Sequence, residues 1–146
     1  MYEFTVEKTV DAPVDAMWAL VSDFANLDWF DGAARVEKSG EGIGQRRRIY
    51  MPGGDDPVEE ELLALDDDDR TLEYAVHEGG VNIMRDYRVI ASLADAGAGR
   101  CHARWQASFS GVSVEGVEPD MMVAVMSDTY DKMLDVMAAA CATPGG

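Results

Sequence analysis

Lysine, cysteine and histidine are scarce in this chain, and each scarcity closes off a class of function. Lys8, Lys38 and Lys132 are the only lysines; the chain carries 12 basic residues against 28 acidic ones, a net charge of −16. A surface this acidic repels phosphate backbones and anionic headgroups, which excludes nucleic acid as a partner. Cys101 and Cys141 stand far apart, with no Cys or His companion at metal-ligand spacing. They read as two small buried residues in a reducing compartment. No apolar run reaches the ~18 residues a membrane helix needs, so no membrane insertion is expected. Met1-Tyr2-Glu3-Phe4 has neither the basic nor the apolar region of a signal peptide, and a cytoplasmic location is the expectation. Nucleotide loops, nucleophile elbows and Ser/His/Asp arrangements are missing too, and no cofactor is implied.

What is present is the material of one globular domain spanning 1–146. Hydrophobic residues make up 47% and charged residues 27%, and the length is sufficient to bury an independent core. No internal repeat or linker divides it. Phe4 to Val10 alternates apolar and polar residues and predicts a strand. Asp11-Ala12-Pro13 reads as an N-cap followed by an early helical proline. Val14, Met17, Trp18 and Val21 then repeat at helical spacing, and a second short helix is predicted over Ala25–Phe30, before Gly32.

The middle of the chain is rich in strands: Ala34–Ser39, Ile43–Met51, Val58–Asp66, Thr71–Glu78, Met84–Ala94 and Arg100–Phe109. Glycine, proline and aspartate turns separate them. The run Asp66-Asp67-Asp68-Asp69 lacks the glycine and distal glutamate of a calcium loop and reads as a solvated turn. After Glu118-Pro119 a helix is predicted to about Ala142. Met122, Met126, Tyr130, Met133, Leu134 and Met137 share one of its faces, and Asp128, Asp131, Lys132 and Asp135 share the other. The class is α+β: a seven-stranded curved antiparallel sheet whose apolar face can be covered only by that last helix.

Several stretches in this order resemble the START/Bet v 1-like superfamily, specifically its bacterial polyketide cyclase/dehydrase and lipid-transport group. They are Ala12-Pro13, Met17 to Trp29, Gly42-Ile43-Gly44-Gln45-Arg46-Arg47, Glu60 to Asp66, Leu72-Glu73-Tyr74, Tyr87, and Trp105 with Phe109. The resemblance implies a helix-grip fold with two short helices after the first strand, and an internal cavity for a hydrophobic ligand. The chain departs from the family pattern at Trp29-Phe30-Asp31, where a Trp-x-Pro is usual, and at Gly79 to Met84, where a proline-rich turn is usual. Both departures fall where the cavity mouth would be.

Strand parity supplies an inward list, since alternate side chains share a face. Ile43 and Ile49 bracket Gln45 and Arg47; Val58 and Leu62 bracket Glu60. Leu72, Tyr74 and Val76 share one face, as do Arg85, Tyr87, Val89, Ala91 and Leu93, and as do Cys101, Ala103, Trp105, Ala107 and Phe109. Arg46, Arg48, Glu59, Glu61, Glu73, His77, Arg88, His102 and Arg104 make up the solvent face, which leaves both histidines outside and no metal site. An unpaired buried charge is costly, so Arg47 and Glu60 are expected to pair across neighbouring strands.

Three functions stay open. The first is binding of a ring-containing or acyl-chain molecule, with Trp18, Trp29, Gln45, Arg85, Trp105, Phe109, Met122, Met126, Tyr130 and Met133 lining the cavity. Flexible thioethers along one helical face suit such a wall. The second is a cyclase/dehydratase in which Arg47, Glu60, Tyr74 and Tyr87 polarise a carbonyl and move a proton. The third is a sensor acting on a protein partner, with Gly79–Asn82 as its lid. Asp28 and Asp31 are candidate acid/base groups at the mouth, and a homodimer is compatible with all three.

Overall fold

In the computed structural model, the described residues are 1–27, 29–30, 35–54, 56–77, 79 and 82–142. The chain runs through β1 (Tyr2–Val10), α1 (Val14–Ser22), β2 (Arg35–Ser39), β3 (Arg46–Tyr50), β4 (Val58–Asp66) and β5 (Thr71–Val76). It continues through β6 (Met84–Arg85), β7 (Tyr87–Gly97), β8 (Arg100–Phe109), β9 (Gly111–Val112) and α2 (Pro119–Ala142). Seven strands form one antiparallel sheet in the order β1-β8-β7-β5-β4-β3-β2, and β6 pairs with β9 in a small separate sheet.

Alternation decides which face of the sheet is buried. In β7, Tyr87, Val89, Ala91 and Leu93 are buried; in β8, Cys101, Ala103, Trp105, Ala107 and Phe109 are. The small side chains Ala91, Ala103 and Ala107 keep this inner surface low where the helices pack. α1 lies against β7 and β8, and α2 lies against β1 and α1. The outer face carries a ladder of cross-strand ion pairs: Arg46 with Glu59 and Glu61, Arg48 with Glu59, Arg88 with Glu73, and Arg104 with Glu7. Each exposed pair contributes little, ~0.2–1 kcal/mol. His77 and His102 join that ladder through Glu61 and Glu7.

α2 is unevenly seated. From Tyr130 onward the inward stripe of Tyr130, Leu134, Met137 and Ala138 is buried, whereas Met122, Val123 and Met126 nearer the N-terminus are only half-buried. The helix therefore seals one end of the sheet and is less closely packed at the other. Among the described residues no helix is long and apolar enough to cross a membrane.

Four sequence expectations are corrected. α1 is the one short helix among the described residues after β1. In place of the expected helix, Asn26 N–H bonds the Asp23 carbonyl (3.0 Å) and Phe30 N–H bonds the Leu27 carbonyl (2.9 Å), as in turns. Asp and Asn side chains compete for local backbone groups and favour such turns over helix. Asp11 is not the N-cap: Pro13 holds that position with extended backbone, its carbonyl accepting Met17 N–H, while Asp11 pairs with Arg100. β3 begins at Arg46 rather than Ile43, because Gly42 and Gly44 take φ +64° and +91° and turn the chain. The expected strand Met84–Ala94 is broken at Asp86, whose φ of 54° interrupts the alternation.

Candidate functional site

Between the inner face of the sheet and α2 lies a cavity of about 290 Å³. It sits near the lower end of the ~300–1,000 Å³ range of small-molecule sites. Its wall is assembled from α1 and the turns after it, from α2, from five strands of the main sheet and from the segment Asn82 to Met84. α1 and the turns after it supply Leu20, Val21, Phe24, Leu27, Trp29 and Phe30; α2 supplies Met122, Met126, Tyr130, Met133 and Met137; β3, β5 and β7–β8 supply Ile49, Leu72, Tyr74, Val76, Tyr87 and Trp105. The lining is overwhelmingly apolar.

The polar groups are concentrated by strand register. Arg47 of β3 lies opposite Glu60 of β4, Glu60 opposite Val76 of β5, and Val76 opposite Tyr87 of β7. One row across the sheet thus carries Arg47, Glu60 and Tyr87, with Tyr74 in the adjacent row beside Leu62 and Val89. Arg47 Nε donates to Glu60 Oε1 at 2.6 Å, and Nη2 reaches the same oxygen at 2.6 Å. Nη1 donates to the Phe24 carbonyl at 2.5 Å. The guanidinium lies 3.9 Å over the Phe24 ring and 5.1 Å from the Tyr74 ring. The two side chains are only 12% and 13% exposed, so the pair is largely desolvated. Glu60 Oε2 has no hydrogen-bond partner among the described residues.

Tyr87 and Tyr130 share a hydrogen bond between their hydroxyls. Burial pushes all three cavity phenols well above their ordinary range, and the Glu60 carboxylate adds to the shift of each. For Tyr74, hydrogen bonding from Trp105 and Tyr130 and the charge of Arg47 offset part of that rise. The phenols therefore stay protonated at neutral pH. They can donate hydrogen bonds to a carbonyl or an oxyanion, and they are not bases. Glu60 is the one carboxylate in this row.

The structure brings ten of the expected site residues to the cavity: Arg47, Glu60, Tyr74, Tyr87, Trp29, Trp105, Met122, Met126, Tyr130 and Met133. Trp18, Gln45, Arg85 and Phe109 lie elsewhere, each for a physical reason. Trp18 is buried between α1 and the β4–β5 turn, with its indole N–H on Asp67 Oδ1 at 2.9 Å. Gln45 precedes β3 and folds back to donate to the Gly42 carbonyl at 3.0 Å. Arg85 points to solvent because the break at Asp86 reverses parity, and it is Met84 that turns inward. Phe109 is fully buried behind the cavity, packed on the rings of Tyr2, Phe4 and Tyr87.

Of the lining residues not expected from the sequence, Phe24 and Asn82 bear most on the cavity's polar groups. Phe24, the ring under Arg47, continues the α1 stripe three residues beyond Val21, and that spacing was the available signal. Asn82 is buried and donates through Nδ2 to the carbonyls of His77 and Met84, while Oδ1 accepts Met84 N–H. It fixes the segment that carries Met84, and a lone Asn beside Gly79-Gly80 was the clue. Asp28 and Asp31, and Gly80 and Val81 of the expected lid, lie outside the described residues. Among the described residues no cluster of three or more His, Cys, Asp or Glu is placed to hold a metal ion.

A family model described as polyketide cyclase/dehydrase and lipid transport matches residues 1–142. No curated protein sequence matches the chain. Among solved structures, Ara h 8.0201 superposes with a TM-score of 0.79 at 17% identity, covering 98% of this chain and 99% of its own. The Zhui aromatase/cyclase of Streptomyces sp. R1128 does so with 0.76 at 21% identity, covering 96% and 93%. Norcoclaurine synthase of Thalictrum flavum, in complex with dopamine and hydroxybenzaldehyde, gives 0.70 at 19% identity, covering 95% and 85%. Identities this low establish a shared fold and nothing finer.

Proposed function

Because the chain belongs to the polyketide cyclase/dehydrase and lipid transport family, we propose that it binds a hydrophobic, ring-containing small molecule in the cavity beneath α2. The observation that carries this reading is an apolar cavity of about 290 Å³ whose polar side chains gather in two adjacent sheet rows. Flat walls from Phe24, Trp29, Phe30 and Trp105 suit a ring, and the α2 methionines adapt to its outline. The neutral phenols and the Arg47–Glu60 pair orient whatever polar substituent the ring carries. The norcoclaurine synthase complex holds dopamine and hydroxybenzaldehyde, two ring compounds with polar substituents, and supports the same class here by analogy of fold. Native mass spectrometry of the protein as purified, followed by denaturing extraction, tests the reading. A stoichiometric ring compound is the expected result; a straight-chain lipid as the sole bound species would overturn it.

A second reading is favoured by one observation: Glu60 Oε2 has no hydrogen-bond partner among the described residues, and Glu60 shares the cavity wall with the phenols of Tyr74, Tyr87 and Tyr130. In a cyclase/dehydratase, Glu60 takes a proton from the carbon next to a ligand carbonyl, and Tyr74 or Tyr87 hydrogen-bonds the enolate oxygen. The enolate carbon then adds to a second carbonyl of the same molecule, whose oxygen takes the proton back from Glu60 as a hydroxyl. Glu60 next removes a second proton from the attacking carbon, and the hydroxyl leaves with it as water as the carbon–carbon double bond forms. Arg47 holds Glu60 in place throughout. With a dicarbonyl substrate, Glu60→Gln lowers kcat by ~10²–10⁴-fold with a smaller change in KM. Equal turnover in that variant removes Glu60 from the chemistry.

A further inference from the structure

This inference rests on the binding reading and concerns which ring compounds the cavity accepts. Arg47 is the single basic residue lining it among the described residues, and Glu60 and Asp23 are acidic members of the same wall. The residues outside the described set include no Lys, Arg or His. All three Arg47 nitrogens are engaged, two on Glu60 Oε1 and one on the Phe24 carbonyl. A ligand carboxylate that reached Arg47 would have to displace Glu60 and would then lie beside a second carboxylate. Trp29, another lining residue, carries a donor, Nε1, that is buried and without a partner among the described residues. It is neutral, so it suits a carbonyl or ether oxygen and cannot balance a full negative charge.

We propose that the cavity selects by ligand charge, admitting neutral or cationic ring compounds and rejecting carboxylates of the same shape. A cationic or hydroxyl substituent meets the free Glu60 oxygen, and a neutral acceptor meets Trp29 Nε1. An anion meets desolvation and the Glu60 charge together. Burial foremost, with the Glu60 charge adding to it, likewise disfavours the ionised form of the neighbouring phenols.

The test uses three naphthalenes of nearly one outline, titrated into the full chain by calorimetry at pH 7 in 0.15 M and 0.5 M NaCl. They are 2-naphthylmethylamine, 2-naphthalenemethanol and 2-naphthoic acid. The amine and the alcohol are expected to bind at 1:1, with the acid at least tenfold weaker than the alcohol at both salt concentrations. Glu60→Gln is expected to shrink the amine-to-acid affinity ratio at least tenfold. An acid that binds as tightly as the alcohol overturns the proposal. A preference that vanishes at 0.5 M NaCl, or a ratio unchanged by Glu60→Gln, assigns the effect to the overall charge of −16 and overturns it equally. Failure of all three compounds to bind sinks the ring-binding reading itself, and that outcome is distinct from equal binding of all three.

Discussion

Replacing Arg47 by methionine should cost far more than removing the whole pair. Arg47 and Glu60 are 12% and 13% exposed, so the lone Glu60 carboxylate left behind would have little solvent to turn to. Breaking a buried pair in this way costs ~3–5 kcal/mol. The Phe24 carbonyl also loses its 2.5 Å donor, and the guanidinium leaves the Phe24 ring it covers at 3.9 Å. Water entering the adjacent cavity relieves part of the burden, which places the expected loss near ~3 kcal/mol rather than at the sum of these effects. For a chain of this length that lowers Tm by roughly 10 °C. The double variant Arg47→Met/Glu60→Leu removes both charges and fills the row with apolar atoms; its expected loss is only ~1 kcal/mol. Urea unfolding followed by tryptophan fluorescence, run on both single variants and the double, yields the coupling energy directly. A loss below ~1 kcal/mol for Arg47→Met, or a double variant that costs as much as the two singles combined, would refute the pairing argument.

Three further outcomes follow from packing and protonation. Leu134 is fully buried where α2 seals the sheet, so Leu134→Ala is expected to cost ~2–5 kcal/mol in the same urea assay. A change under 1 kcal/mol would mean that α2 is loosely held. Asn82→Ala leaves the Met84 N–H and the His77 and Met84 carbonyls without their side-chain partner. Hydrogen exchange in residues 82–84 should accelerate at least tenfold while β7 and β8 keep their protection. Burial raises the pKa of Tyr74, Tyr87 and Tyr130 in the fold above the unfolded value of 10.0. The folded state therefore binds more protons in alkali, and this stabilisation is complete below pH ~10 and lost as pH climbs further. Absorbance at 295 nm should show these three phenols ionising only together with alkaline unfolding, and a fully ionised tyrosine set in the still-folded protein would contradict the buried-cluster geometry.

Much of the architecture was legible because it depends on periodicities that survive in the sequence. The apolar stripe of α2, and the alternation from Tyr87 to Leu93 and from Cys101 to Phe109, specify one inner face without knowledge of partners. The Arg47–Glu60 contact was legible for a related reason: two opposite charges on the apolar faces of adjacent strands have few other ways to be satisfied. What escaped was local backbone geometry. A single residue with positive φ, Asp86, exchanges Met84 for Arg85 at the wall, and no side-chain pattern announces it. The Gly42 and Gly44 turn withdraws Gln45 in the same manner. Trp18 was misplaced because its partner, Asp67, is 49 residues away and belongs to a turn that looked merely solvated.

The central claim is that the space beneath α2 takes up a ring compound, and a neutral fluorescent ring probe tests it most directly. N-phenyl-1-naphthylamine is titrated into the wild-type chain and into Val76→Trp. Val76 lines the cavity and lies in register between Glu60 and Tyr87, so an indole at this position occupies the space with little change at the surface. The account predicts saturable 1:1 fluorescence enhancement in the wild type and at least tenfold weaker binding in a folded Val76→Trp variant. Enhancement of equal affinity in both proteins would place the probe on the surface and contradict the account.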